Sequence, residues 1–339
     1  MAVKGESWRT LSERLKQTGP DKKIGRIMEL LNQKNAILDD AITLEGNLPT
    51  GHMSVQRSGL PTGRFRRYNE GIDAEKSQSK SVTDATGMLD ALSKVDVEIA
   101  KLNGDQAAYR AKESMAFASG MGITAALNMF YANSKIDDEK FMGIAPRFNE
   151  IGDDSALASY NVIDGGGDQN ANSSFYMITW GDETAHMIYP KGSKAGLEHE
   201  DMGTQLVKDA NGKEFRAFVD YWSWKLGFAM PDWRYSGRLA NIDVPSLKTI
   251  GDGDNDVSKN LEMQLIDLTE RRPDDSSGQT VLYCNKLVRA ALRKKALSKN
   301  NTLFRMDDFG GKPMLMFDDI PIRICDGILT NEQNVPVAA

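Results

Sequence analysis

A chain of 339 residues and 37.5 kDa is longer than one average domain and suggests about two. Hydrophobic residues make up 40% and charged residues 27%, an ordinary globular balance that argues against wholesale disorder. The net charge of −6 counts against wrapping nucleic acid over the whole surface, though not against a local basic patch. The only two cysteines, Cys284 and Cys325, count against a disulfide-built scaffold.

The opening residues, Met1 to Trp8, become charged at once and lack the apolar core of a signal peptide. Residues 8–17 and 22–41 predict two short helices, broken at Gly19-Pro20. In the second, Ile24, Ile27, Met28, Leu31 and Ile37 form a narrow apolar stripe. An arm this charged can hide such a stripe only by lying on something else. Residues 49–96 carry few large aliphatic side chains and no long helical period. Compact domains rarely hold structureless loops beyond about 15 residues, so a longer one is either disordered or functional. Here the local chemistry is ordered. His52-Met53-Ser54-Val55-Gln56-Arg57 alternates with the period of a strand, and Gly59-Leu60-Pro61-Thr62-Gly63 supplies a turn. Arg64-Phe65-Arg66-Arg67-Tyr68 then resumes a strand, which predicts a hairpin. A lone two-stranded hairpin is marginal in water. It is therefore expected to rest on a surface of another molecule, and most of the first ninety residues are expected to find their complements on sister copies.

Residues 105–131 predict one helix, about 40 Å long at 1.5 Å per residue, which implies an elongated body. Ala107, Ala111, Met115, Ala118, Gly122, Ala125 and Met129 share one face, expected to pack closely on a sheet or helix. The stretch 115–134 is uncharged and long enough to cross a bilayer. Its Ser119, Gly120, Gly122, Thr124 and Asn128 favour a helix buried in protein instead. From residue 173 the period changes. Strands are expected at 173–179, 185–189, 215–219, 222–228 and 238–242. A helix follows at 256–271 with Leu261, Leu265 and Leu268 in line, then a strand at 280–283 and a helix at 285–298. Strands at 315–317 and 320–325 flank Asp318-Asp319, and the tail 331–339 is weakly patterned. No repeat of solenoid period is present.

Motifs for chemistry fail one by one. Asp252-Gly253-Asp254-Asn255-Asp256 opens like a calcium loop, but Val257 and Met263 stand where Gly and Glu are needed. A polar turn with Asp256 capping the next helix is expected there. Gly165-Gly166-Gly167 is followed by Asp168, Gln169 and Asn170 rather than Gly-Lys-Ser/Thr, so a flexible turn is expected, not a phosphate loop. His52, His186 and His199 form no His-Glu-x-x-His motif, and no Gly-x-Ser-x-Gly elbow exists. Cys325, in apolar surroundings, reads as a buried structural residue. No catalytic residue, cofactor site or metal site is called for. The rival from another class is a metal-dependent hydrolase acting through Asp182, His186, His199 and Asp201. Two basic groups remain. Lys286, Arg289, Arg293, Lys294 and Lys295 read as a solvated helix face. Arg57, Arg64, Arg66 and Arg67 surround the hairpin, and arginine forks suit carboxylates at protein interfaces.

Several blocks together carry a family resemblance. The first is Ser58-Gly59-Leu60-Pro61-Thr62 with Arg66, Asn69 and Gly71; the second is Gly87-Met88-Leu89 with Val95-Asp96. Phe141-Met142-Gly143-Ile144-Ala145-Pro146-Arg147-Phe148-Asn149 is the third. Asp232-Trp233-Arg234-Tyr235 follows, with Gly237-Arg238 and Ala240-Asn241-Ile242-Asp243. Over roughly residues 50–300 the chain resembles the major capsid proteins of short-tailed double-stranded DNA bacteriophages of the epsilon-fifteen type. The resemblance implies the α+β Hong Kong-97-type capsid fold: an N-terminal arm (1–45), an extended β-hairpin loop (46–96), a mainly peripheral domain (97–243) with a spine helix about 105–132, and a mainly axial domain (244–339). The strands at 222–242 precede the helix at 256–271, so a rearranged strand order is expected. The same resemblance implies a structural subunit joining its own copies as hexamers and pentamers of an icosahedral shell around DNA, assembled in the host cytoplasm. A cementing or decoration protein, a scaffold and a portal are further partners it implies, with weak interior contacts to packaged DNA and no membrane. Arg57, Arg64, Phe65, Arg66, Arg67 and Tyr68 would lie on the loop and meet a neighbouring subunit. A connector or tail adaptor ring of the same virus is the other alternative.

Overall fold

The computed structural model describes residues 33–102, 106–167, 171–209, 211–248, 257–273, 278–296, 304–309 and 312–338. The expected helix at 8–17, the break at Gly19-Pro20, most of the helix at 22–41 and the run 252–256 lie outside those residues.

Two sheets carry the fold. The first has the order β1 (Thr43–Glu45), β6 (His186–Tyr189), β8 (Glu214–Ala229), β3 (Gln78–Asp96) and β2 (Gly51–Gly59), with β7 (Leu197–Lys208) also paired to β8. The second runs β11 (Phe304–Phe309), β12 (Lys312–Phe317), β13 (Ile320–Ile324), β10 (Gln279–Cys284), β5 (Asn172–Trp180), β9 (Gly237–Asp243) and β4 (Val162–Asp164). Every residue of β5 is buried, because apolar layers cover both of its faces. Phe175 and Met177 point into a cluster with Leu261, Leu265 and Leu268 of α5 (Val257–Glu270) and Val288 and Leu292 of α6 (Lys286–Ala296). Tyr176, Ile178 and Trp180 point the other way, into a cluster with Ala125, Met129 and Phe130 of the long helix α3 (Gln106–Tyr131).

The long helix forms as expected, but the face it buries is not the expected one. Ala107, Ala111, Met115 and Ala118 are exposed, and only Ala125 and Met129 of that stripe are buried. The buried line is Tyr109, Glu113, Met121, Ala125, Ala126, Met129 and Phe130. Bulk decides this: Tyr109 packs with Val95 and Phe218, and Phe117 stacks flat on Trp222 at 4.8 Å. Among the described residues no helix is long and apolar enough to cross a membrane.

The segment after α3 turns back over its carbonyl end. Gly143 N donates to Ala132 O at 2.7 Å and Ile144 N to Met129 O at 2.9 Å, which satisfies carbonyls a helix end leaves open. A Cβ on Gly143 would stand 2.9 Å from both Asn128 O and Met129 O. The Gly165-Gly166-Gly167 turn is likewise a close approach and not a slack one. Gly165 N and Gly167 N donate to Ala240 O and Asn241 O at 2.7 Å each, and Gly166 has φ +81°.

Three other expectations change. Strands 215–219 and 222–228 are one strand, β8, carried through Asp220 because Arg110 of α3 pairs with that carboxylate at 2.7 Å. The tail is anchored: Glu332 meets Arg238 at 2.8 Å in a buried ion pair, and Asn241 exchanges hydrogen bonds with Val335 N and O. The end of the arm belongs to this subunit. Ala36 and Ile37 are buried in the core, Ala36 N donates to Ile324 O, β1 pairs in parallel with β6, and Arg323 holds Asp40. Residues 86–96 pair with β8 along their whole length. The expectation that the first ninety residues look outward is therefore corrected for residues 33–45 and 86–96. What projects lies between them.

Candidate intersubunit surface

Strands β2 and β3 pair antiparallel from Gly51 opposite Ala85 to Gly59 opposite Gln78. Nine residues at about 3.4 Å each make a ribbon roughly 30 Å long. Its root is tied to the body. Arg147 Nη2 donates to Asp84 Oδ1 at 2.7 Å, Met230 N to Asp84 Oδ2 at 3.3 Å, and Gln56 Nε2 to Pro231 O at 2.6 Å. Beyond the root the ties stop. Every residue from Leu60 to Ser81 is exposed.

The return strand begins at Gln78, not at Arg64. The residues Arg64-Phe65-Arg66-Arg67-Tyr68 belong to an irregular tip, correcting the hairpin read from period alone. Two carboxylates organise this tip. Glu75 Oε2 accepts from Thr62 N and Gly63 N at 2.9 and 3.1 Å, and Glu70 Oε2 accepts from Arg67 N at 3.0 Å. Gly63 and Asn69 both take φ +62°, where these two residue types sit with least strain. Arg64 donates to Gly71 O at 2.6 Å and Arg66 to Glu70 O at 2.9 Å, so part of their donor capacity is used within the tip. The side chains of Arg57 and Arg67 make no ion pair among the described residues. Phe65 and Tyr68 are fully exposed, at 107% and 100%. Sequence reasoning singled out the arginines and aromatics but missed Glu70 and Glu75. Glu70 adjoins the left-handed Asn69, whereas Glu75 lies twelve residues beyond Gly63 and left no local signal.

The hydrolase residues do not converge. His186 lies opposite Ala229 on β8 and His199 opposite Trp222, seven strand positions apart, or about 23 Å. His199 sits on β7, an element absent from the sequence reading. Its Nε2 is 3.1 Å from Asp220 and its ring stacks on Trp222, while Arg110 bridges Asp201 and Asp220 at 2.7 Å each. Among the described residues, no group of three or more His, Cys, Asp or Glu could hold a metal ion. Burial holds His186 below the ordinary imidazole value. On the basic helix α6, Lys286 pairs with Asp326 at 2.8 Å, Arg293 and Lys294 are exposed, and Arg289 is turned inward, where burial lowers its pKa.

Residues 19–336 match the family described as Major capsid protein GP7, and the chain belongs to that family. Its structure is similar to that of bacteriophage Epsilon15, with TM-score 0.77, 30% sequence identity and 100% of both chains covered. It is similar in fold to the bacteriophage JBD30 capsid, with TM-score 0.51 and 9% identity over 88% of this chain and 93% of that one. No curated protein matches the chain. The fold is the Hong Kong-97-type capsid fold, with β8 and β9 preceding α5 in chain order. The chain is thus a phage major capsid protein, a structural subunit of an icosahedral shell; the hydrolase and connector readings are not favoured.

Proposed function

We propose that the extended loop is this subunit's principal grip on sister copies, with Arg57, Arg64, Phe65, Arg66, Arg67 and Tyr68 at the contact. The observation that carries this is the unbroken exposure from Leu60 to Ser81, with two aromatic rings wholly in solvent at the end of a ribbon rooted in the core. Burying one such ring removes about 150–250 Å² of surface. At about 25 cal/mol per Å² that is worth roughly 4–6 kcal/mol before ordering costs. A single contact of this size is reversible. Repeated around a ring of subunits, it becomes multivalent and holds. That combination lets misplaced subunits leave during assembly while the finished shell persists.

On this reading copies gather as hexamers and pentamers around double-stranded DNA in the host cytoplasm, with a mechanical and not an enzymatic role. The chain divides into an arm (1–45), the loop (46–96), a mainly peripheral unit (97–243) and a mainly axial unit (244–339). A decoration protein, a scaffold and a portal complete the partners, and packaged DNA meets the interior weakly. The test is to replace residues 60–77 by an Asn-Gly turn, which suits a two-residue hairpin. A folded subunit that forms no closed particles by electron microscopy is expected. Closed shells from this variant would show that the grip lies elsewhere.

A further inference from the structure

Two histidines meet at the root of the loop. His52 of β2 and His186 of β6 lie edge to face, with ring centroids 5.4 Å apart and planes at 88°. His186 Nδ1 lies 3.3 Å from the Gly181 carbonyl, an acceptor only, so that nitrogen carries the proton. The other nitrogen of His186, Nε2, and Nδ1 of His52 are both buried with no hydrogen-bond partner. Buried polar atoms are seldom left in this state, and two beside one another call for a reason.

The charged groups around the pair come from three elements. Asp84 of β3 stands opposite His52, but its carboxylate already accepts from Arg147 and from Met230 N. Arg147, from the turn after α3, adds positive charge. Asp182 precedes β6 and is exposed, as is Glu183 beside it, so water screens both. A proton added to Nε2 of His186 would place a charge in a buried site beside a second imidazole.

We propose that His52 and His186 form an acid-sensitive latch, holding the root of the extended loop to the body near neutral pH and releasing it as the solution turns acidic. The closed root holds His186 as a buried ring against the edge of His52, an arrangement that suits an uncharged His186. Opening it brings His186 into water, where an imidazole takes up a proton at its ordinary value of about 6.5. His186 binds protons less well when closed than when open. Its contribution is therefore complete above about pH 6.5 and is lost as pH falls below that value. One freed imidazole therefore favours the open root increasingly as pH falls from neutrality to 5.5, with about tenfold as the upper bound. The latch would operate whatever the tip touches, so it stands apart from the function proposed above.

Hydrogen exchange on the full-length protein at pH 7.5 and 5.5 tests this. Rates are corrected for intrinsic chemistry and referred to the buried strand β5. Amides of 51–56, 83–86 and 186–189 should open more often at pH 5.5, by up to about tenfold, while β5 stays constant. His52→Gln should diminish the response, and His186→Gln with it should abolish it. The third histidine is the control: His199→Gln should leave the response intact. Because His52 is only half-buried, His52→Gln decides the matter even if His186→Gln does not fold. A root that exchanges equally at both pH values, a full response in His52→Gln, or a response lost in His199→Gln would each overturn the latch.

Discussion

Arg147 Nη2 lies 2.7 Å from the buried Asp84 Oδ1, and this partly buried pair ties the root of the projecting loop to the segment that caps the long helix. The same guanidinium donates to Met142 O and Phe228 O, so three separate stretches of chain meet on one side chain. Asp84→Ala strands that cation in the interior and should cost about 3–5 kcal/mol. Denaturant unfolding of the subunit measures this. An unchanged midpoint would mean that the two carbonyls suffice.

The tail depends on a similar device. Glu332 accepts from Arg238 at 2.8 Å and from the hydroxyls of Tyr131 and Ser174. Glu332→Ala removes the only carboxylate paired with Arg238 among the described residues, and a loss of about 3–5 kcal/mol is expected. Limited proteolysis should then cut within 329–338, a region resistant in the unaltered protein.

Two glycines in or beside α3 should respond oppositely to alanine. At Gly143 a Cβ would press on three carbonyls, and Gly143→Ala should destabilise by about 1–3 kcal/mol. At Gly120 a Cβ meets nothing within 4 Å, so Gly120→Ala should stabilise by about 0.5–1 kcal/mol. Thermal unfolding of the two variants should move in opposite directions.

Cys284 and Cys325 are both free and buried. Burial pushes the Cys325 thiol up to about 12 and raises that of Cys284 as well. Neither should react with iodoacetamide at pH 8 while the chain is folded, and both should react once it is unfolded. Because the folded values are raised, this contribution to stability is complete below the ordinary thiol value of about 8.5 and is lost as pH climbs above it. Rapid native alkylation at pH 8 would contradict the burial of both thiols.

At the tip, stability and assembly should separate. Phe65→Ala and Tyr68→Ala remove side chains that touch little of their own subunit, so unfolding should shift by no more than about 0.5 kcal/mol. Shell yield, counted by electron microscopy, should fall sharply.

Some of this architecture was legible and some was not, for identifiable reasons. The apolar period of 261, 265 and 268 announced α5, and the buried pattern from Phe175 announced β5, since each is a local repeat. β7 was invisible. It is exposed along most of its length and strongly polar, with Glu198, His199, Glu200 and Asp201 in succession, so it has no buried face to impose alternation. The false return strand at Arg64 arose the same way: alternating residue types suggest a strand, but only the cross-strand partner of β2 defines one, and that partner is 78–85.

Residue order alone established an α+β chain with a long helix, a ribbon with nothing apolar of its own to rest on, and blocks shared with phage shell proteins. Those properties are written in near neighbours. Which side of α3 is covered, where the ribbon turns, and that residues 33–45 and the tail are bound into the body were settled only by the folded chain. Trp222 lies more than a hundred residues from Phe117, Arg323 some 280 from Asp40, and Glu332 ninety-four from Arg238. No local pattern encodes such encounters; they depend on which bulky ring or buried charge reaches a partner when the whole chain packs.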